Sequence, residues 1–262
     1  MYIKKGVNLA DLNFAFSLNI FALTQSISVM KMLAEQAEKN VLRAVKEADE
    51  PGAVTEEEFE DEVCDQYGES YPYTKKYYSC GSSVGYDFDE VKAEYKFLIT
   101  QLARRAAFLT MFGLFEHRIS NCLGFMIELT KSEQELKSMG AIEKAHSILK
   151  KTIGAKNIPD VDHLTVIRNI MIHNDGTALD YNKILSRKDR RTPSEKRLLR
   201  AIDRGAGLQV NQFDGVIMDG TFLMYAVSEF NRYATSLDAA IQTYHRERLG
   251  RVTETLSRQT PI

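Results

Sequence analysis

The sequence predicts an all-α fold: a helical bundle of four to five helices with one small β-hairpin before the last helix. Three observations carry that expectation. Apolar residues recur at helical spacing over three long stretches. Only 5 prolines and 15 glycines punctuate 262 residues, which favours long helices over a sandwich of short strands. A single short alternating stretch around Asp214-Gly215 reads as a hairpin.

The first element spans about Leu9 to Ala48. Asn8 or Asp11 is placed to cap it, and Phe14, Leu18, Phe21, Ile20, Leu23 and Ile27 fall at helical spacing. Pro51-Gly52 stops it. Residues 49–89 form an insertion that opens with Glu56, Glu57, Glu58, Glu60, Asp61 and Glu62 and continues with tyrosines and glycines. One short helix followed by an irregular stretch is expected there. The acids would repel nucleic acid and form a solvated face. A helical core follows over 90–249. Its first helix runs from Glu90 to Leu129. A second, with Ser132 and Glu135 as a capping box, runs to Lys150. A third starts at Asp160 or Asp162, and a fourth is capped by Thr192 with Pro193 in its first position. Then come the hairpin of Leu208–Met218 and a closing helix from Thr221 to Leu249, with a loose tail over 250–262.

Bulk chemistry narrows the function classes. Hydrophobic residues make up 44% and charged residues 27%, an ordinary soluble composition. The net charge of −2 gives no global basic field, so any nucleic-acid binding has to be local. Cys64, Cys80 and Cys122 are an odd number without metal-ligand spacing and read as small buried or half-buried residues in a reducing compartment. The apolar N-terminal stretch is interrupted by Asp11, Asn13, Asn19 and Gln25, so neither a signal peptide nor a membrane span is expected. A cytoplasmic protein with no cofactor and no metal follows. No Glu-x-x-His pairing recurs on the helices, which argues against a metal-dependent helical nuclease.

The chemically suggestive run is Ile167-Arg168-Asn169-Ile170-Met171-Ile172-His173-Asn174-Asp175-Gly176. With Ile167 at zero and 100° per residue, Ile170, Met171 and Leu164 share its face, whereas Arg168 lies near +100°, Ile172 near +140°, Asn169 near 200° and His173 near 240°. Three polar residues thus share the arc opposite the core, with an isoleucine among them. That is a poor solvent face and suits cover by another protein surface. Gly176 is placed to supply a left-handed cap, leaving His173 in the last turn, where the helix dipole presents its negative end. Arginine binds phosphate oxygens through its planar fork, and histidine moves protons near neutral pH. The alternative for this trio is a buried polar network that only fixes the bundle.

The string Arg168-Asn169-Ile170-Met171-Ile172-His173 resembles the Arg-(Asn/polar)-x3-His signature of the HEPN superfamily, over roughly Glu90 to Leu249. The resemblance implies a metal-independent endoribonuclease of the toxin or phage-defence type, acting on RNA as a homodimer with a composite active site. An antitoxin or defence-system partner protein is implied as well. Arg168, His173 and Asn169 would be catalytic, with Glu116, Asn174 and Asp175 in support. The basic run of Arg187, Lys188, Arg190, Arg191, Lys196 and Arg197 would follow the RNA backbone; its alternative is a solvated positive face. Arg104 and Arg105 form a smaller basic spot. His117, His146, His163 and His245 are expected on helix surfaces. The rival to an enzyme is a non-catalytic HEPN-like helical module that binds a nucleotide, RNA or a partner protein.

Overall fold

The computed structural model describes residues 9–132, 139–187 and 190–258, with side chains over 14–132, 139–187 and 190–248. Its element order is α1 (Leu9–Glu47), β1 (Thr55–Cys64), β2 (Ser70–Cys80), β3 (Ser83–Gly85), α2 (Phe88–Thr130), α3 (Ala141–Ser147), a π-helical turn (Ile148–Thr152), α4 (Asp162–His173), α5 (Tyr181–Ser186), α6 (Pro193–Arg204), β4 (Leu208–Val210), β5 (Val216–Met218) and α7 (Phe222–Arg258). The fold is dominated by helices, with two small antiparallel sheets. It holds more helices than the expected four to five, because short α3 and α5 stand beside the long ones.

The chain divides into two units. One comprises Met1–Ala34 with Ala107–Ile262, the other Glu35–Ala106. The boundary falls inside α1 and α2, so the second unit takes in the end of one long helix and the start of the other.

In the larger unit the core is aromatic. Phe108, Phe112, Phe115, Phe222, Phe230 and Tyr233 are fully buried. Phe115 stacks on Phe230 at 4.4 Å between centroids, and Phe108 meets Phe222 edge-on at 5.1 Å. Such pairs add to the gain from burying large rings. On α1 the buried stripe is Phe16, Leu23, Ile27 and Met30; of the residues expected at helical spacing Leu23 and Ile27 are buried, whereas Phe14, Leu18 and Phe21 are exposed. The buried Ser26 hydroxyl accepts a bond from Arg118 Nε at 2.8 Å. This polar contact fixes α1 by the face that carries Ser26. By length and composition Phe14–Glu47 is long and apolar enough to cross a membrane, and 28% of its most apolar window is buried.

The smaller unit corrects the expected short helix and irregular stretch. Residues 55–85 form a three-stranded sheet, order β1-β2-β3. The acidic strand is matched residue by residue by its partner: Glu57 opposes Tyr77, Glu58 opposes Lys76 and Asp61 opposes Tyr73. Lys76 Nζ lies 2.6 Å from Glu56 and 3.5 Å from Glu58, and the hydroxyls of Tyr73 and Tyr77 donate to Asp61 and Glu57. Asp65 sets the turn. Its Oδ1 accepts from the amides of Tyr67 and Glu69 at 2.8 and 3.0 Å, and Gly68 takes φ of 82°. Beneath the sheet a small cluster of Ala48, Cys80 and Val91 packs with Val54, Tyr78 and Tyr95. Cys64, expected to be at least half-buried, is exposed on β1, while Cys80 and Cys122 are buried.

Other boundaries shift for local reasons. The expected helix ending at Lys150 is the short α3, whose Glu143 accepts from the Gly140 amide, followed by the π turn. Ser132 bonds Thr130, and Glu135 lies outside the described residues, as does Asn8. Thr192 caps α6 as expected, with Glu195 closing a capping box. The last helix runs on to Arg258, so most of the expected loose tail is helical.

Candidate functional site

The spacing that predicted α4 also fixes which of its side chains can do chemistry. Leu164, Ile167, Ile170 and Met171 are buried, whereas Ile172 is 52% exposed and His173 is exposed. The helix stops because Asp175 and Gly176 take φ of 47° and 78° in succession. The left-handed cap therefore starts one residue before the expected Gly176. The Gly176 amide donates back to the Ile170 carbonyl at 3.1 Å. The hairpin then braces this end: Val216 N bonds the Gly176 carbonyl and Ala178 N bonds the Asp214 carbonyl, both at 2.8 Å. Asp214, itself at φ 62°, also accepts from Asn182 N and Nδ2 at 2.9 and 2.7 Å.

Arg168 is held from three sides. Nη2 donates to Glu116 Oε2 at 2.9 Å, Nη1 donates to Asn169 Oδ1 at 2.9 Å, and the guanidinium lies 5.1 Å over the Phe112 ring. Glu116 thus pairs with Arg168, not with Arg118. The side chains are 24% and 34% exposed, so the pair is reachable from solvent. Asn169, expected among the catalytic residues, is bonded to Arg168 and helps hold its guanidinium in place. A guanidinium carries five donors, and two are used here. His173, five residues on, is about 7.5 Å further along the axis. It makes no hydrogen bond or ion pair with another described residue. Asn174 is exposed and its carbonyl accepts from Thr177 N at 2.8 Å; Asp175 is exposed in the cap.

The basic run is thinned by structural duty. Arg187 donates to Glu195 at 2.8 Å, Arg191 to the carbonyls of Ile184 and Leu185, and Arg197 clasps Asp162 with Nε at 2.9 and 3.1 Å. Lys196 and Arg190 are exposed, and Lys188 lies outside the described residues. Arg104 is likewise committed, to Glu38 at 2.8 Å.

Two of the four histidines expected on the surface are buried, and a third is half-buried. His163 and His245 are each 4% exposed, while His117 is exposed and pairs loosely with Asn121. His163 Nε2 lies 2.9 Å from the Tyr225 hydroxyl, which donates its one hydrogen to the Arg204 carbonyl at 2.7 Å. The tyrosine therefore accepts from His163, which places the ring hydrogen on Nε2. Burial first, then the nearby Arg204, lowers the His163 pKa to about 4. Glu229 gathers Arg204 at 3.1 Å and Arg232 beside it. His146 is half-buried and stacks on Tyr233 at 6.2 Å.

The chain matches no protein-family model, and no curated protein and no solved structure is similar to it. Among the described residues no group of three His, Cys, Asp or Glu side chains is placed to hold a metal ion.

Proposed function

We propose that the chain is a HEPN-type endoribonuclease of the cytoplasm that acts as a homodimer and cleaves RNA without a metal. The observation that carries this is the arrangement on α4: a solvent-reachable Arg168 clamped by Glu116, Asn169 and Phe112, with an exposed His173 beyond it and Ile172 exposed between them. The ribose 2′-oxygen attacks the neighbouring phosphorus while a histidine takes its proton, and the P–O5′ bond breaks as a second histidine protonates the leaving oxygen. The products are a 2′,3′-cyclic phosphate and a 5′-hydroxyl. His173 and His173 of the partner subunit supply base and acid. Arg168 stabilises the charge that builds on the non-bridging oxygens. Ile172 gives the second copy an apolar contact at the same place. The activity suits a toxin or an anti-phage defence effector, restrained by a partner protein.

One observation favours a second possibility, a non-catalytic helical module. Arg168 already spends two donors inside the chain, as a purely structural arginine would. RNA cleavage in EDTA separates the two. Wild type should cut, and Arg168→Ala and His173→Ala should each lose about 100-fold to 10,000-fold in rate with melting temperatures unchanged. Equal rates for all three proteins would end the ribonuclease assignment.

A further inference from the structure

A cavity of about 520 Å³ opens where α3, the π turn and the start of α4 meet Tyr233 of α7. Its volume lies in the range of small-ligand sites. The π turn builds one wall. The Ile153 amide reaches back five residues to the Ile148 carbonyl at 3.0 Å, which widens the helix and sets Lys150 and Lys151 on the cavity. Such turns are rare and concentrate at functional sites.

The floor holds two unmet polar atoms. The Tyr233 hydroxyl, on a fully buried side chain, has no hydrogen-bond partner among the described residues, and neither has the buried Nδ1 of the His146 ring stacked against it. Buried polar atoms nearly always find partners, because an orphan costs about 1–3 kcal/mol. Two orphans on stacked rings beside one cavity point to a partner that comes from outside. Both groups are neutral: burial pushes the tyrosine pKa up, and burial, with Lys150 adding to it, pushes the histidine pKa down. A hydroxyl and a neutral imidazole suit an uncharged donor–acceptor edge and not an ion. Both atoms are closed to water in the empty cavity, so the wall has to shift before a ligand meets them.

Part of the wall is apolar. Ile142 and Val161 are buried apolar residues of the lining, and Met139 stands at the mouth. Three carboxylates line it and each has a cationic partner, Asp160 with Arg204 at 2.8 Å, Asp162 with Arg197, and Glu143 with the same Arg197 at 3.7 Å. Lys150 and Lys151 are exposed and ion-paired to no described residue, so they are the lining cations open to a ligand's phosphate.

The cavity also adjoins the Arg168 cluster. A Cβ on Gly140, next to Met139, would sit 4.0 Å from Glu116 Oε1, the carboxylate that holds Arg168. Thr165 of α4 lines the cavity and precedes Arg168 by three residues, about 4.5 Å of helix rise.

We propose that this cavity is a base-reading subsite: it takes one nucleobase of an RNA strand, with Lys150 and Lys151 on the flanking phosphate, beside the phosphodiester held by Arg168. The proposal rests on the ribonuclease assignment, and it can fail separately. A random RNA pool is cut with wild type, Tyr233→Phe, Met139→Trp and His173→Ala, and the cut ends are sequenced. In parallel, the four nucleoside 3′-monophosphates and inorganic phosphate are titrated into each protein. Wild type should favour one base at a fixed step from the cut. Tyr233→Phe, which removes only the hydroxyl, should reduce that preference about fivefold while other sites are still cut. Met139→Trp should block the mouth and remove the preference. His173→Ala should cut nothing yet bind the favoured mononucleotide as wild type does. Unchanged base preference in both cavity variants would overturn the subsite and leave the ribonuclease standing. If wild type cuts no RNA, the ribonuclease assignment falls and the titration decides the cavity. Base-selective binding lost in Tyr233→Phe then supports a nucleobase site, and base-independent or absent binding overturns it.

Discussion

His163 and His173 open and close the same twelve-residue helix, and they live in different chemical worlds. His163 is 4% exposed, bonded to Tyr225 and ringed by Arg204, Glu229, Asp160 and Arg232. His173 is exposed and bonded to no described residue. The arginines do not repeat that contrast. Arg197 and Arg204 tie α6 to Asp162 and Asp160 at the start of α4, and Arg204 also reaches Glu229 of α7. Arg168 likewise ties α4 to Glu116 of α2, and at 24% exposed it is less open to solvent than Arg197 at 41% or Arg204 at 37%. One half of α4 spends its polar groups on holding helices together. The other half pairs Arg168 with Glu116 and leaves the His173 ring where a second molecule can reach it. Residue type does not separate a bonded, buried histidine from an available one; the number of partners each has already satisfied does.

The sharpest way to break this contrast is to remove the hub of the structural half. Glu229→Ala leaves Arg204 and Arg232 without their shared carboxylate and His163 without its nearest acid at 3.5 Å. Stripping one partner from a buried ion pair costs about 3–5 kcal/mol, and urea unfolding should show a loss near the lower figure because both arginines reach water. Glu116→Gln at the other half should change stability by under about 1 kcal/mol and act on RNA cleavage instead. Similar losses of stability for the two variants would erase the distinction.

Next in size is a pH effect from His163. Its folded pKa is about 4, below the ordinary value near 6.5. Between those values the unfolded chain binds a proton that the folded chain refuses. Stability is therefore complete above about pH 6.5 and falls as pH drops toward about 4, by up to about 3 kcal/mol from this ring alone. His163→Gln should flatten the dependence of the urea midpoint over that window. A wild-type slope retained in the variant would assign the acid sensitivity to other groups.

How much of this contrast was legible beforehand can be judged at single positions. The helical projection of α4 set Arg168, Asn169, Ile172 and His173 on one arc, and those are the residues found on its outer side. The same projection puts His163 at about −40°, inside the core arc. The expectation of a surface histidine followed residue type and overlooked that position. The Asp65–Gly68 turn and the Tyr-Thr run of β2 were visible too. The acidic run masked them, because a strand of glutamates is stable only once Lys76, Tyr73 and Tyr77 stand opposite, a pairing across up to 20 residues that local pattern does not carry. On α1 helical spacing alone allowed more than one face to be the core; the polar anchor from Arg118 to Ser26 lies on the buried one. The cavity at Tyr233 had no sequence signal, since a π turn and an unpartnered hydroxyl emerge only from packing.

The smallest test reaches the same contrast through a helix cap. Thr192 Oγ1 accepts the Glu195 amide at 3.3 Å while Glu195 Oε2 accepts the Thr192 amide at 2.6 Å, closing the box that starts α6. Glu195 also holds Arg187, so the cap ties in the segment before it. Thr192→Ala removes one of these bonds and should cost about 1 kcal/mol, a drop of about 2–4 °C in melting temperature for a chain of this size. Because the ion pairs from α6, those of Arg197 and Arg204, meet α4 at its His163 end, that loss should appear in thermal unfolding while the rate of RNA cleavage at 25 °C stays within twofold of wild type. A cleavage rate that fell with the cap would mean that the Arg168–His173 end depends on the same brace, and the two halves of α4 would then be one site.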